Sequence, residues 1–122
     1  MMGVHKIMVI DDEHVIGKMI KLHFEQDDYT VETFLNAAPA LERLKTEKFD
    51  VVITDLKMKG IDGMEVLREI KTHFPATKVI MITAFANLDA AVEAFRGKVD
   101  DFFSKPVKIK DLKASVERLT KL

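Results

Sequence analysis

Residues 49–60 read FDVVITDLKMKG, and this stretch decides how the chain is expected to fold. It holds three β-branched residues, Val51 to Ile53, and such a run between polar residues is typical of a short buried strand. An acid, Asp55, follows where the strand runs out. In open α/β sheets, ligands bind in the crevice at the carboxyl ends of the strands. The pattern therefore predicts that Asp55 is a reactive group at that edge of a sheet.

The rest of the chain has the pattern of alternating strands and helices. The predicted strands are Lys6–Ile10, Tyr29–Phe34, Val51–Ile53, Lys78–Ile82 and Asp101–Ser104. Apolar residues at helical spacing predict helices over His14 to about Gln26, Ala37–Leu44, Val66–Phe74, Leu88–Phe95 and Ile109–Leu119. Asn36 and Asn87 are expected to cap the second and fourth helices. The first, third and fourth strands are nearly continuous apolar runs, which is typical of a parallel sheet covered by helices on both faces.

Composition excludes several classes of protein. The length of 122 residues predicts a single domain, residues 1–122, and the formal net charge of -1 gives no basic field for nucleic acid. Cysteine is absent from the sequence, which excludes disulfides, thiol catalysis and thiolate zinc sites. No apolar run approaches the roughly 20 residues of a membrane span, and the first residues do not resemble a secretory signal. We therefore expect a cytoplasmic domain that binds neither nucleic acid nor a membrane.

Polar residues of a few types follow the predicted strands. Asp11 and Asp12 follow the first strand, Asp55 the third, Thr83 the fourth and Lys105 the fifth. In a parallel sheet these ends share one edge, where three carboxylates repel one another unless a cation such as Mg²⁺ lies among them. A free carboxylate can attack phosphorus and form an aspartyl phosphate. The set therefore predicts Mg²⁺-assisted phosphoryl transfer to Asp55, with Lys105 and Thr83 binding phosphoryl oxygens.

These motifs together resemble the receiver domain of bacterial two-component response regulators. The resemblance runs from about Lys6 to Leu119 and rests on VIDDE (9–13), TDLKM (54–58) with Asp62-Gly63 following, MITA (81–84) and SKP (104–106). It implies a five-stranded parallel sheet of order 2-1-3-4-5 flanked by five helices, which is the flavodoxin-like order. It also implies a phosphorylation-dependent switch of the chemotaxis-regulator kind that catalyses only its own phosphorylation and dephosphorylation and is otherwise not an enzyme.

The resemblance implies a role for each residue of the site. Asp55 matches the phosphoacceptor, assisted by Lys105, and Lys105-Pro106 matches a peptide bond that is commonly cis in receivers. Thr83 and Phe102 match the hydroxyl and the aromatic side chain of the conformational switch. The implied ligands of Mg²⁺, with Mn²⁺ as an alternative, are Asp11, Asp12, Asp55 and the backbone carbonyl of Lys57.

Three features depart from the family pattern. Lys59 stands where receivers usually have Pro, and Lys98-Val99 stands where they often have Gly-Ala before the fifth strand. Phe102 lacks the hydroxyl of the more frequent Tyr. We also expect the bulky Phe85, two residues after Thr83, to slow hydrolysis of the phosphoryl group.

The implied partners are a sensor histidine kinase or phosphotransfer protein, an output domain C-terminal to the receiver, and a second copy bound through the face formed by the fourth helix, fifth strand and fifth helix. The chain is expected to be either a complete single-domain regulator or an excised receiver. Two other functions stay open at this point. One is a phosphatase or phosphotransferase of the haloacid-dehalogenase kind, and the other is a binding module that is never phosphorylated. Glu13 belongs either to the acidic motif or only to the first helical turn, where an acid favours the helix dipole.

Overall fold

Five strands alternate with five helices along residues 5–121, the part of the chain that the computed structural model describes. The elements are β1 (Lys6–Ile10), α1 (His14–Glu25), β2 (Thr30–Phe34), α2 (Ala37–Leu44), β3 (Val51–Thr54), α3 (Gly63–His73), β4 (Lys78–Thr83), α4 (Leu88–Arg96), β5 (Asp101–Ser104) and α5 (Ile109–Thr120). All neighbouring strands pair in parallel, in the order β2-β1-β3-β4-β5. The predicted fold class and strand order are confirmed.

Alternate residues of each strand enter two separate cores, one on each face of the sheet. From β1, Met8 and Ile10 pack with α2, α3 and α4, whereas Ile7 and Val9 pack with α1 and α5. All four side chains are buried, which explains why the strands read as continuous apolar runs. Because the two faces alternate residue by residue, a register slip of one position would exchange the two cores, and this fixes the register.

Both predicted N-cap residues stand at the helix starts, but only one of them makes a capping hydrogen bond with its side chain. The side chain of Asn87 accepts a hydrogen bond from the backbone N–H of Ala90, at 2.8 Å, and caps α4 as expected. Asn36 stands at the N-cap of α2, as predicted, but its side chain makes no capping hydrogen bond. Helix α3 begins at Gly63, earlier than predicted, because Asp62 caps it by accepting from the N–H of Glu65 at 3.0 Å.

The parallel sheet brings the predicted polar residues to one edge. The N–H of Asp55 donates to the carbonyl of Ile10, and the N–H of Lys105 donates to the carbonyl of Thr83, both at 2.9 Å. These bonds extend the strand ladders by one residue beyond β3 and β5. The Lys105-Pro106 peptide bond is cis, in agreement with the resemblance. No helix in residues 5–121 has the length and apolar character needed to cross a membrane.

Candidate functional site

The site is built on three carboxylates, Asp11, Asp12 and Asp55, which we call the acidic cluster. Each offers one oxygen, and these oxygens all lie within 4.8 Å of one another. Asp11 is only 2% exposed and Asp55 only 5% exposed, whereas Asp12 is exposed. Two buried strands therefore hold two acids rigidly at the sheet edge, and the third reaches them from solvent.

Backbone N–H groups fix the orientation of the two buried carboxylates. Oδ1 of Asp11 accepts from the N–H of Glu13 at 2.9 Å, and Oδ1 of Asp55 accepts from the N–H of Leu56 at 2.6 Å. In both residues this leaves Oδ2 to face the ammonium group of Lys105. The two acids are thus oriented by their own loops before any ligand arrives.

Lys105 is the cation of the site. Its Nζ lies 2.7 Å from Oε1 of Glu13, 2.9 Å from Oδ2 of Asp11 and 3.0 Å from Oδ2 of Asp55. The contacts of Nζ with Glu13 and Asp55 are hydrogen bonds. Its contact with Asp11 is an ion pair that lacks hydrogen-bond geometry. One ammonium group thus faces three carboxylates.

Burial and neighbouring groups shift the pKa values of Asp11 and Lys105. Burial raises the pKa of the Asp11 carboxyl, although the N–H of Glu13 and the Lys105 ammonium act against this rise. Burial alone would lower the pKa of Lys105, but its contacts with Glu13, Asp11 and Asp55 outweigh burial and raise that pKa. Lys105 is therefore fully charged at neutral pH.

The acidic cluster fits a hard divalent cation. Oδ2 of Asp11 is a buried oxygen that has no hydrogen-bond partner among residues 5–121, although such atoms are normally satisfied in proteins. Carboxylate oxygens are the ligands that Mg²⁺ prefers. Lys57 lies in the exposed loop after β3, and its carbonyl accepts no hydrogen bond within the described residues. The chemistry of the three carboxylates matches a hard divalent cation.

Thr83 lies at the same edge of the sheet, but its hydroxyl bonds to the loop that follows β4. It is fully buried, and its Oγ1 accepts from the backbone N–H of Phe85 at 3.0 Å. Within residues 5–121 its hydroxyl makes no hydrogen bond to Asp55 or Lys105. The structure therefore brings together the acidic cluster and Lys105 but leaves the Thr83 hydroxyl apart from them.

The predicted aromatic switch residue lies in β5. Phe102 is half-buried and packs against the core that includes Val52, Met81 and Leu67. Val99, the bulky residue in the preceding loop, packs against the same core. Both side chains therefore pack on the same face of the sheet.

Two functional contacts went unrecognised in the sequence. Glu13 was assigned no partner, yet its carboxylate reaches Lys105, ninety-two residues away in the chain. Gly63 was given no structural role, yet it lies against the backbone of Asp55. Their place within the motifs VIDDE and Asp62-Gly63 was the signal for both residues.

Comparison with known proteins places the chain in a family. Residues 7–117 match the family model of the response regulator receiver domain. The chain is 37% identical to the DNA-binding transcriptional regulator NtrC of Escherichia coli over 92% of its own length and 24% of that relative. It is 39% identical to the transcriptional regulatory protein FlgR of Helicobacter pylori, over 96% of its length and 30% of FlgR. It therefore spans less than a third of these two relatives.

A solved structure agrees with the sequence matches. The receiver domain protein from Clostridium thermocellum superimposes with a TM-score of 0.88 at 36% identity, covering 95% of this chain and 94% of that one. The sheet order, the edge that carries the polar residues and the family match all agree. The chain belongs to the response regulator receiver domain family.

Proposed function

We propose that this domain, residues 1–122, is a phosphorylation-dependent switch in which Asp55 accepts a phosphoryl group from the phosphohistidine of a sensor kinase or phosphotransfer protein. The observation that carries the proposal is the ammonium group of Lys105, 3.0 Å from Oδ2 of a buried Asp55. A carboxylate at that position has a neighbouring cation ready for the charge that phosphoryl transfer brings.

The transfer forms one bond and breaks one. A carboxylate oxygen of Asp55 bonds to phosphorus while the bond from phosphorus to the histidine nitrogen breaks, and the nitrogen keeps the electron pair. The transferred group brings three charged oxygens to the sheet edge, so catalysis rests on positioning and charge neutralisation. Lys105 neutralises one oxygen, and the Thr83 hydroxyl can bind another after it leaves the Phe85 N–H.

The acidic cluster and the Lys57 carbonyl would hold the metal ion, Mg²⁺ or Mn²⁺. When bound, the ion offsets the mutual repulsion of the carboxylates and the charge of the phosphoryl oxygens. Asp11 and Asp55 are already oriented by backbone N–H groups, so binding requires little rearrangement of the chain. The domain thereby catalyses only its own phosphorylation and dephosphorylation.

The conformational switch we propose couples Thr83 to Phe102. When the Thr83 hydroxyl moves toward the phosphoryl group, it leaves space at the end of β4, and Phe102 on the neighbouring strand turns into it. Met81 of β4 pairs with Phe102 of β5, so the two strands are in direct register there. Because the switch aromatic is Phe, this rotation depends on packing and involves no hydroxyl hydrogen bond.

The proposed partners follow from the family. NtrC and FlgR are transcriptional regulators much longer than this chain, which supports an output domain attached to, or bound by, this receiver. We further propose a homodimer through the face of α4, β5 and α5, and a cytoplasmic location where a kinase can reach Asp55. Nucleic acid would be bound by the output domain and not by this one.

A mass measurement tests the function. The protein is incubated with acetyl phosphate and Mg²⁺, and its intact mass is recorded. We expect a single phosphoryl adduct on the wild type, none on Asp55→Asn, and a normal adduct on Asp89→Asn, a matched change of an exposed acid on α4. An adduct that persists in Asp55→Asn would contradict the assignment. Phosphate release over many turnovers without an adduct would indicate an enzyme, and no reaction would indicate a binding module.

A further inference from the structure

Glu13 makes a contact that the proposed reaction does not require. Its carboxylate gives the shortest of the three approaches to Lys105, at 2.7 Å. Glu13 stands at the N-cap of α1, but its side chain makes no capping hydrogen bond. Within residues 5–121 its carboxylate has Lys105 as its one hydrogen-bond partner. The side chain therefore contacts Lys105 and does not cap the helix.

The contact occupies the group that the phosphoryl oxygens need. Three carboxylate oxygens, from Asp11, Glu13 and Asp55, lie within 3.0 Å of Nζ, and those of Glu13 and Asp55 accept its hydrogen bonds. A phosphoryl group on Asp55 adds oxygens that compete for the same ammonium group. A phosphoryl oxygen that approaches Nζ as closely has to displace one of the oxygens already there.

Burial decides which partner leaves. Asp11 is buried and its carboxylate is held by the backbone N–H of Glu13, so it cannot swing out to solvent. Asp55 is itself the acceptor and cannot withdraw. The Glu13 side chain is 61% exposed, and water can solvate its carboxylate after the contact breaks.

We propose that Glu13 is a positioning residue that occupies an N–H donor of Lys105 and is displaced to solvent when Asp55 is phosphorylated. This inference rests on the proposed function. Glu13 lowers the rate of phosphorylation because its ion pair with Lys105 has to break before, or as, the phosphoryl oxygen binds. The cost is that of a partly exposed ion pair, which corresponds to a rate change of about two- to fivefold.

The first test compares phosphorylation rates. Phosphoramidate and acetyl phosphate serve as donors with saturating Mg²⁺. We expect Glu13→Gln to become phosphorylated on Asp55 about two to five times faster than the wild type with both donors. Glu25→Gln removes the same charge from the other end of α1, and its rate should equal that of the wild type. A rate for Glu13→Gln equal to or below the wild-type rate would overturn the inference.

Glu13→Asp tests whether the contact with Lys105 or only the negative charge at position 13 limits the rate. Glu13→Asp keeps the charge but removes one methylene from the reach toward Lys105. If the contact limits the rate, Glu13→Asp should be phosphorylated as fast as Glu13→Gln. If Glu13→Asp matches the wild type instead, general repulsion of the anionic donor is responsible, and the displacement is refuted.

A spectrum of the metal-free protein provides a readout that does not depend on activity. NMR of ¹⁵N-labelled protein can follow the ammonium protons of Lys105, assigned by their loss in Lys105→Met. We expect these protons to exchange with water faster in Glu13→Gln than in the wild type, and no change in Glu25→Gln. Unchanged exchange in Glu13→Gln would overturn the inference while the adduct on Asp55 still supports the function. If the wild type forms no phosphoryl adduct, the proposed function itself is refuted.

Discussion

The backbone of Gly63, at the start of α3, lies directly against the backbone of Asp55. A Cβ on Gly63 would clash with the Asp55 carbonyl oxygen and lie only 2.8 Å from Cα of Leu56. The N–H of Gly63 also donates to the Leu56 carbonyl at 2.8 Å. Glycine thus lets α3 close the loop that carries the acceptor and the Lys57 carbonyl, and the geometry of the site depends on this close approach.

Gly63→Ala is therefore expected to damage both stability and phosphorylation. The new methyl group must push α3 away from a backbone that two strands hold in place, and overpacking of this kind costs about 1–3 kcal/mol. We expect urea unfolding to show a loss of that size and the rate of adduct formation at Asp55 to fall. A variant with wild-type stability and rate would show that the loop adjusts freely.

Gly17→Ala is the matched control. Gly17 lies inside α1, and a Cβ there would meet only the Thr33 side chain, at 3.4 Å. An interior helical Gly costs about 0.5–1 kcal/mol relative to Ala. We therefore expect Gly17→Ala to be equally stable or more stable than the wild type and to be phosphorylated at the wild-type rate.

A second prediction concerns acid stability. Arg43 of α2 forms two hydrogen bonds of 2.9 Å to the two carboxylate oxygens of Glu32 in β2, and these bonds hold the pKa of Glu32 below its ordinary value of 4.5. The unfolded chain therefore binds a proton at Glu32 more readily than the folded one. The stabilisation is complete above pH 4.5 and is lost as the pH falls through the lowered pKa.

Glu32→Gln should consequently be less stable than the wild type at neutral pH, and the difference should shrink below pH 4.5. Urea unfolding across that pH range measures it. Glu42→Gln removes an exposed acid whose ion pair with Lys45 is also exposed to solvent, and it should change stability very little at any pH. A constant difference between Glu32→Gln and the wild type at all pH values would contradict the linkage.

Regular elements and strand ends could be predicted because local pattern determines them. Local patterns placed all five strands, three of them as apolar runs, and the acids and the lysine at the strand ends located the edge of the sheet. Contacts between distant segments could not be predicted in this way. The pair of Glu13 and Lys105 depends on how far α1 and the loop after β5 stand apart, which no local pattern records.

Local side-chain and backbone conformations were the second feature that the sequence did not predict. Asn36 has the residue type of a cap without the capping bond, because the residue type permits but does not fix the side-chain rotamer. Lys98 adopts a left-handed conformation with φ of 67°, at a place where receivers often have Gly. Lysine rarely adopts that conformation, so the residue type at position 98 did not predict it.

The third prediction concerns the lifetime of the phosphoryl group. Phe85 is exposed and lies two residues after Thr83, to whose hydroxyl its backbone N–H donates. Its side chain can therefore be removed without loss of that hydrogen bond. We expect Phe85→Ala to lose its phosphoryl group several-fold faster than the wild type, as followed by intact mass after the donor is removed. Phe95→Ala, which removes another exposed Phe, should keep the wild-type lifetime, and equal lifetimes for all three proteins would refute the shielding role.

The last prediction concerns the proposed homodimer. Leu88, Val92 and Phe95 stand on α4 at positions i, i+4 and i+7 and form one apolar stripe. Leu88 is 78% exposed and Phe95 is 80% exposed. Large apolar side chains that line up on a surface usually mark an interaction site, so this stripe is the expected contact of the homodimer.

Buried aromatic anchors commonly contribute about 2 kcal/mol or more to an interface, which is about thirtyfold in the dissociation constant. We therefore expect Phe95→Glu to weaken dimerisation of the phosphorylated domain at least thirtyfold in sedimentation experiments while Asp55 is still phosphorylated. Leu22→Glu makes the same kind of change on the exposed surface of α1 and should leave dimerisation intact. A phosphorylated wild type that stays monomeric, or a Phe95→Glu variant that dimerises normally, would refute a homodimer through this stripe.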